Sequence, residues 1–174
     1  MELQTPRVDD TAPTERGRAA ARSLVTVHDG LRDELAQVSR LVDEALAGRV
    51  DIAGARGDLQ RLALRRHDWT TGAYCSAHCL AVAQHHYGED HEIFPLLRSA
   101  RPDLGDVLDR LEREHVVVHD LLERLDGALV ALAVADADGR AALRRTLAEF
   151  STVLRAHLAY EEEQLLGPMA QVFS

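Results

Sequence analysis

No lysine and no asparagine occur in the 174 residues, so every basic side chain other than histidine is an arginine. Aromatic residues are down to 4 %, and with so few strand-favouring rings among abundant Ala, Leu, Val and Arg a β-sandwich or barrel is not expected. Positive charge is short as well. The net charge of −9 argues against nucleic acid as a main partner, because phosphate binding needs clustered cations. No apolar run approaches the roughly 20 residues that cross a bilayer, so no membrane partner is expected. Residues 1–17 carry no apolar stretch behind their charges and do not read as a signal peptide, which makes a cytoplasmic location the expectation. The only two cysteines, Cys75 and Cys79, are too few for a disulfide framework and at an intracellular address would stay reduced.

What is present is helical periodicity over a length that suits one domain. Residues 1–17, rich in Asp, Thr, Pro and Arg, are expected to form a mobile polar tail. From 18 to 47 apolar residues recur at helical spacing (Leu24, Val27, Leu31, Leu35, Val38, Leu41, Val42), and Gly48 supplies a stop. A shorter helix is expected around 58–65. A second long helix is expected over 72–98, ended or kinked by Pro95. The third follows Pro102-Asp103, with Asp103 as N-cap, and runs to about 135. Residues 136–139 read as a turn, and the fourth helix covers 140–166, stopping at Gly167-Pro168. The fold expected is all-α: an up-down four-helix bundle with an extra short helix between helices one and two.

Residues four apart share a helix face. Three such pairs stand out: His85 with Glu89, His115 with His119, and His157 with Glu161, while helix one adds His28 beside Leu24, Val25 and Leu31. One histidine on an apolar stripe is ordinarily a hydrogen-bonded core residue. Polar groups on the buried stripe of all four helices are harder to satisfy that way, since each unpaired imidazole or carboxylate is costly. Metal ions at the bundle centre satisfy them together. Two octahedral ions offer about twelve positions. Five imidazoles, two bridging carboxylates and a shared oxo or hydroxo group fill all but one, which leaves room for dioxygen, peroxide or nitric oxide. So many imidazoles disfavour Mg²⁺ and Ca²⁺.

The segments H-H-Y-G-E-D-H-E-I-F-P from His85, E-H-V-V-V-H from Glu114 and H-L-A-Y-E-E from His157, taken with His28, resemble the hemerythrin-like (HHE cation-binding) domain. The likeness covers about residues 20–167, so that 18–174 would form the bundle domain. The run W-T-T-G-A-Y-C from Trp69 is further similar to an actinobacterial branch of that family. The resemblance implies two non-haem iron ions, oxo- or hydroxo-bridged, with His28 and His85 on one and His115, His119 and His157 on the other. Glu89 and a helix-four glutamate would bridge them. In hemerythrins that glutamate lies five residues after its histidine, which points to Glu162 and would need a π-bulge; a regular helix favours Glu161. On helix two the alternative register pairs His86 with Asp90.

His67, His86 and His91 otherwise read as partly exposed polar residues, and His78, Cys75 and Cys79 as packing residues. A ferritin-like carboxylate site would need two Glu-x-x-His motifs, and only Glu112-x-x-His115 fits. The function expected is binding of a small oxygen or nitrogen species, with consumption of hydrogen peroxide as the candidate activity. Tyr74 and His78 would supply protons in a pocket shared with Leu24, Val25 and Val82. Reversible dioxygen carriage without turnover, or a structural bundle, are the alternatives.

Overall fold

The computed structural model describes residues 12–49, 77–131 and 137–173. Among the described residues there is no strand. Helix α1 spans Glu15–Leu46, α2 Ala77–Gly88, α3 Phe94–Ala100, α4 Gly105–Ala131 and α5 Ala137–Val172. A π-turn, Glu89–Ile93, joins α2 to α3, and a 3-10 turn, Pro102–Leu104, leads into α4. The helices form a bundle in which α5 packs along both α1 and α4, while α2 reaches α1 and α4. No helix among the described residues is long and apolar enough to cross a membrane.

The ends of α1 follow from local chemistry. Thr14 Oγ1 accepts the backbone N–H of Gly17 at 3.2 Å, an N-cap that starts the helix at Glu15, inside the expected polar tail. At the other end Gly48 takes φ of 69° and the Arg49 N–H reaches the Glu44 carbonyl at 3.0 Å. That left-handed turn needs the missing Cβ and closes the helix as expected.

Several boundaries differ from the sequence expectation. Pro95 neither ends nor breaks the second helical stretch. The π-turn before it inserts an extra residue into the ladder, with the Phe94 N–H bonded to the Glu89 carbonyl, and the chain continues as α3 with Pro95 in its first turn. Residues 137–139, expected in a turn, are already helical. The last helix runs through Gly167-Pro168 to Val172 because Leu165, Met169 and Ala170 are all buried. Packing there outweighs the bond that Pro168 cannot donate. Asp103 stands in the 3-10 turn with both carboxylate oxygens on Arg101, at 2.9 and 2.7 Å. The short helix expected at 58–65 lies outside the described residues.

The buried positions alternate by four and three. On α1 they are Leu24, His28, Leu31, Leu35, Val38 and Val42, and on α4 Leu108, Leu111, His115, Val118, Leu122 and Leu125. On α5 they are Leu143, Leu147, Phe150, Leu154, His157 and Glu161. This is a heptad core in which a few positions are polar. The apolar members separate into two clusters, one around Leu35, Val82, Leu125 and Phe150, the other around Leu24, Phe94, Leu111 and Leu165. His28, His115 and Glu161 fall between them in sequence on α1, α4 and α5, with His157 one residue before Leu158 at the edge of the first cluster, so the polar layer has an apolar cluster on each side.

Candidate metal centre

Two groups of ligating side chains meet in that layer. The first comprises His28, His85, Glu89 and Glu161, and the second His86, His115 and His157; within each, the donor atoms lie within 4.8 Å of one another. The Nε2 atoms of His28 and His85 stand 2.9 Å apart, and His85 Nε2 is 3.1 Å from Glu89 Oε1. Neighbouring ligands on one ion held at about 2.1 Å are separated by roughly 3 Å, so this spacing suits a shared cation. The two carboxylates face both groups. Glu89 Oε2 is 3.5 Å from His115 Nε2, and Glu161 Oε2 lies 3.4 Å from His28 Nε2 and 3.8 Å from His157 Nε2.

Burial makes the arrangement demanding. His28, Glu89, His157 and Glu161 are all 0–1 % exposed. The Nε2 atoms of His86, His115 and His157 are buried with no hydrogen-bond partner among the described residues. An unsatisfied buried polar atom costs roughly 1–3 kcal/mol, so three of them draw on a large share of a typical 5–15 kcal/mol folding free energy. A cation that accepts three imidazole lone pairs removes that cost, and the donor set fits one.

Titration behaviour follows from the same environment. Burial lowers His85 to about 4, opposed by the charge of Glu161. Burial and the neighbouring imidazoles drive His86 lower still. His157 is lowered by burial against the pull of Glu114. All three therefore stay neutral, the form that ligates. Burial and the adjoining Glu161 carboxylate push Glu89 well up. In Glu161 the effect of burial is outweighed by hydrogen bonds from His28 and Glu89, leaving it near 2.

Six of the seven residues singled out from the sequence, His28, His85, Glu89, His115, His157 and Glu161, come together here. His119 does not. Its side chain is 62 % exposed, 3.4 Å from Glu123 on its own helix. His86, expected at a partly exposed position, is 6 % exposed and stacks on His115 with ring centroids 3.9 Å apart. The signal for both was the heptad: after His115 the buried face steps by three to Val118, which leaves His119 outside. On helix two the π-turn shifts the buried face by five residues, from Glu89 to Phe94, and the two histidine registers both turn inward above it.

Glu162 is 22 % exposed, with Oε1 2.8 Å from His28 Nδ1. No π-turn follows His157 within α5. Glu112 is taken by Arg98 at 3.0 Å and belongs to neither group, so the ferritin-like pattern is not built. His91 is exposed and bonded to the Tyr87 carbonyl. His67, Tyr74 and Cys75, the run 69–75, and the side chains of His78 and Cys79 lie outside the described residues.

A groove of about 700 Å³ between α1 and α2 reaches the first group; Leu24, Val27, Gly30, Ala81, His85 and Glu89 are among its lining residues. Its lining is mostly apolar, and the rim residues Ser23, Thr26 and Val27 are exposed. Val25 and Val82, expected to share a pocket with Leu24, do not line it.

No curated protein and no solved structure matches the chain. The Hemerythrin HHE cation binding domain matches residues 19–169, nearly the whole described bundle. With one group of two histidines and two carboxylates and another of three histidines able to hold a metal between its helices, the chain belongs to the hemerythrin HHE cation-binding domain family.

Proposed function

We propose that the protein carries a pair of non-haem iron ions in an up-down four-helix bundle and uses them to bind a small oxygen or nitrogen species, with hydrogen peroxide as the substrate consumed. The observation that carries the reading is the placement of Glu89 and Glu161, each facing both ligand groups. Shared carboxylates are what a dinuclear centre requires and a single ion does not. His28 and His85 would hold one ion, and His86, His115 and His157 the other. Five imidazoles with two carboxylates suit iron better than the hard, oxygen-seeking Mg²⁺ or Ca²⁺.

When bound, such a pair of ions supplies a two-electron exchange, which matches disproportionation of two peroxides to dioxygen and two waters. The chain's own contribution is access and exclusion. The open apolar groove admits a small neutral molecule to the His85 and Glu89 end, while the apolar clusters keep bulk water from the rest of the layer. A sealed pocket would favour storage of dioxygen; an exposed rim favours exchange and release. Metal analysis combined with peroxide loss and O₂ evolution on the iron-loaded protein tests the reading. Folded protein that takes up no iron from anaerobic Fe²⁺ sinks it. Iron uptake without peroxide loss, with a dioxygen adduct that reverts under argon, decides for carriage.

A further inference from the structure

Three carboxylates outside the ligand groups close a chain of contacts around them. His115 Nδ1 donates to Asp90 Oδ1 at 2.7 Å, His157 Nδ1 to Glu114 Oε2 at 3.0 Å, and His28 Nδ1 to Glu162 Oε1 at 2.8 Å. Each acid is the immediate sequence neighbour of a group member, Glu89, His115 and Glu161 respectively, yet serves a histidine on a different helix. The segment after α2 thereby holds α4, α4 holds α5, and α5 holds α1. Two of the acids are anchored in turn: Arg110 Nε donates to Glu114 Oε1 at 2.7 Å, and Arg32 Nη2 to Glu162 Oε1 at 2.8 Å. Arg110 is itself seated on the Tyr160 ring, 3.7 Å from its centroid.

We infer that Asp90, Glu114 and Glu162 are positioning residues that fix the Nδ1–H tautomer of His115, His157 and His28, so that the bare Nε2 of each is aimed into its ligand group before any metal arrives. The role as metal positioning rests on the metal-centre reading above; the tautomer assignment does not. A neutral imidazole carries one proton, and whichever nitrogen keeps it cannot ligate. An acceptor carboxylate on the Nδ1 side settles the choice and makes Nε2 the more basic nitrogen. The arginines at Glu114 and Glu162 hold those acids in place. Burial of the Nε2 atoms of His115 and His157 without a partner is the complementary half of the same arrangement.

The test uses the full chain, metal-free and metal-loaded, in wild type and in Asp90→Ala, Glu114→Ala and Glu162→Ala, with Asp90→Asn, Glu114→Gln and Glu162→Gln beside them. Nitrogen-15 correlation spectra of the metal-free imidazoles at neutral pH read the tautomers directly. The expected result is Nδ1–H at His28, His115 and His157 in wild type. Each alanine variant should lose it at its own histidine only, and each amide variant, which keeps an acceptor oxygen, should retain it. Fe²⁺ affinity should fall about 10- to 100-fold in the alanine variants and less in the amides. Nε2–H at the three histidines of the wild type, or unchanged tautomer and affinity in the alanine variants, overturns the inference. Should an alanine variant fail to fold, the wild-type spectrum still decides the tautomer. Wild type with Nδ1–H that binds no Fe²⁺ would defeat the metal-centre reading and leave the tautomer assignment standing.

Discussion

Glu89 on the π-turn and His115 on α4 approach each other across the bundle, Oε2 to Nε2 at 3.5 Å, while the other oxygen of the same carboxylate lies 3.1 Å from His85. One side chain thus touches both ligand groups from a buried position. If it links two ions, Glu89→Gln should cost more than one ion's worth of binding. Iron content is expected to fall from about two per chain to below one, with the circular dichroism of the helices retained. Full occupancy of both ions in Glu89→Gln would show that the groups are independent sites.

The exchange of His119 for His86 gives a second prediction. His86→Ala removes a buried imidazole and should lose iron from the second group. His119→Ala, at a position 62 % exposed, should leave iron content unchanged and shift stability by no more than about 0.5 kcal/mol. Elemental analysis of both variants after identical loading separates the two histidines. Loss of iron in His119→Ala alone would return the ligand to α4.

Glu161 and Glu162 are adjacent but differently placed, the first 1 % and the second 22 % exposed. Glu161→Ala should abolish loading of both groups. Glu162→Ala should keep both irons at raised metal concentration and only weaken them, because it touches the far nitrogen of His28. Equal metal loss in the two variants at saturating iron would put Glu162 in the centre itself.

The metal-free protein should lose stability as pH falls from about 6.5. His85, His86 and His157 have folded pKa values below the 6.5 of the unfolded chain, so in that window the unfolded state binds more protons. Glu89, raised by burial, works the other way, but it is one group against three. Below about pH 4.5 Glu161 adds to the loss, since its folded value lies below its unfolded one. Between pH 6.5 and 5 stability should fall with each step of acidification, because more protons bind the unfolded imidazoles than the folded ones. Urea midpoints of chelator-treated protein at several pH values measure it; midpoints that rise on acidification would mean that the imidazoles take up protons inside the fold.

Gly17 offers a test of the fold apart from the metal. A Cβ there would land on the backbone carbonyl of Ala170, so the start of α1 and the end of α5 approach as closely as glycine allows. Gly17→Ala is expected to destabilise by about 1–3 kcal/mol despite its better helix propensity, read as a lowered thermal midpoint at unchanged iron stoichiometry.

Much of this was legible in the sequence, and the exceptions have physical causes. The helices on which His28, His115 and His157 stand announce themselves through repeating leucines, and six of the seven side chains now seen together were found by helical spacing. The i,i+4 rule failed at His119 because it describes a straight 3.6-residue helix, whereas packed helices here follow a 3.5-residue repeat whose next step after His115 is Val118. His86 stood in the sequence only as the alternative register to His85, and the buried steps from Val82 to His86 to Glu89 are what turn it inward. The run of α5 through Gly167-Pro168 depends on contacts of Met169 and Ala170 made only in the folded bundle.

Both ligand groups draw a member from α5, Glu161 in one and His157 in the other. Their remaining members come from α1, α2, α4 and the π-turn, so neither group exists in a nascent chain that ends before α5. A cation that needs either whole group can therefore be held only after the last helix has docked.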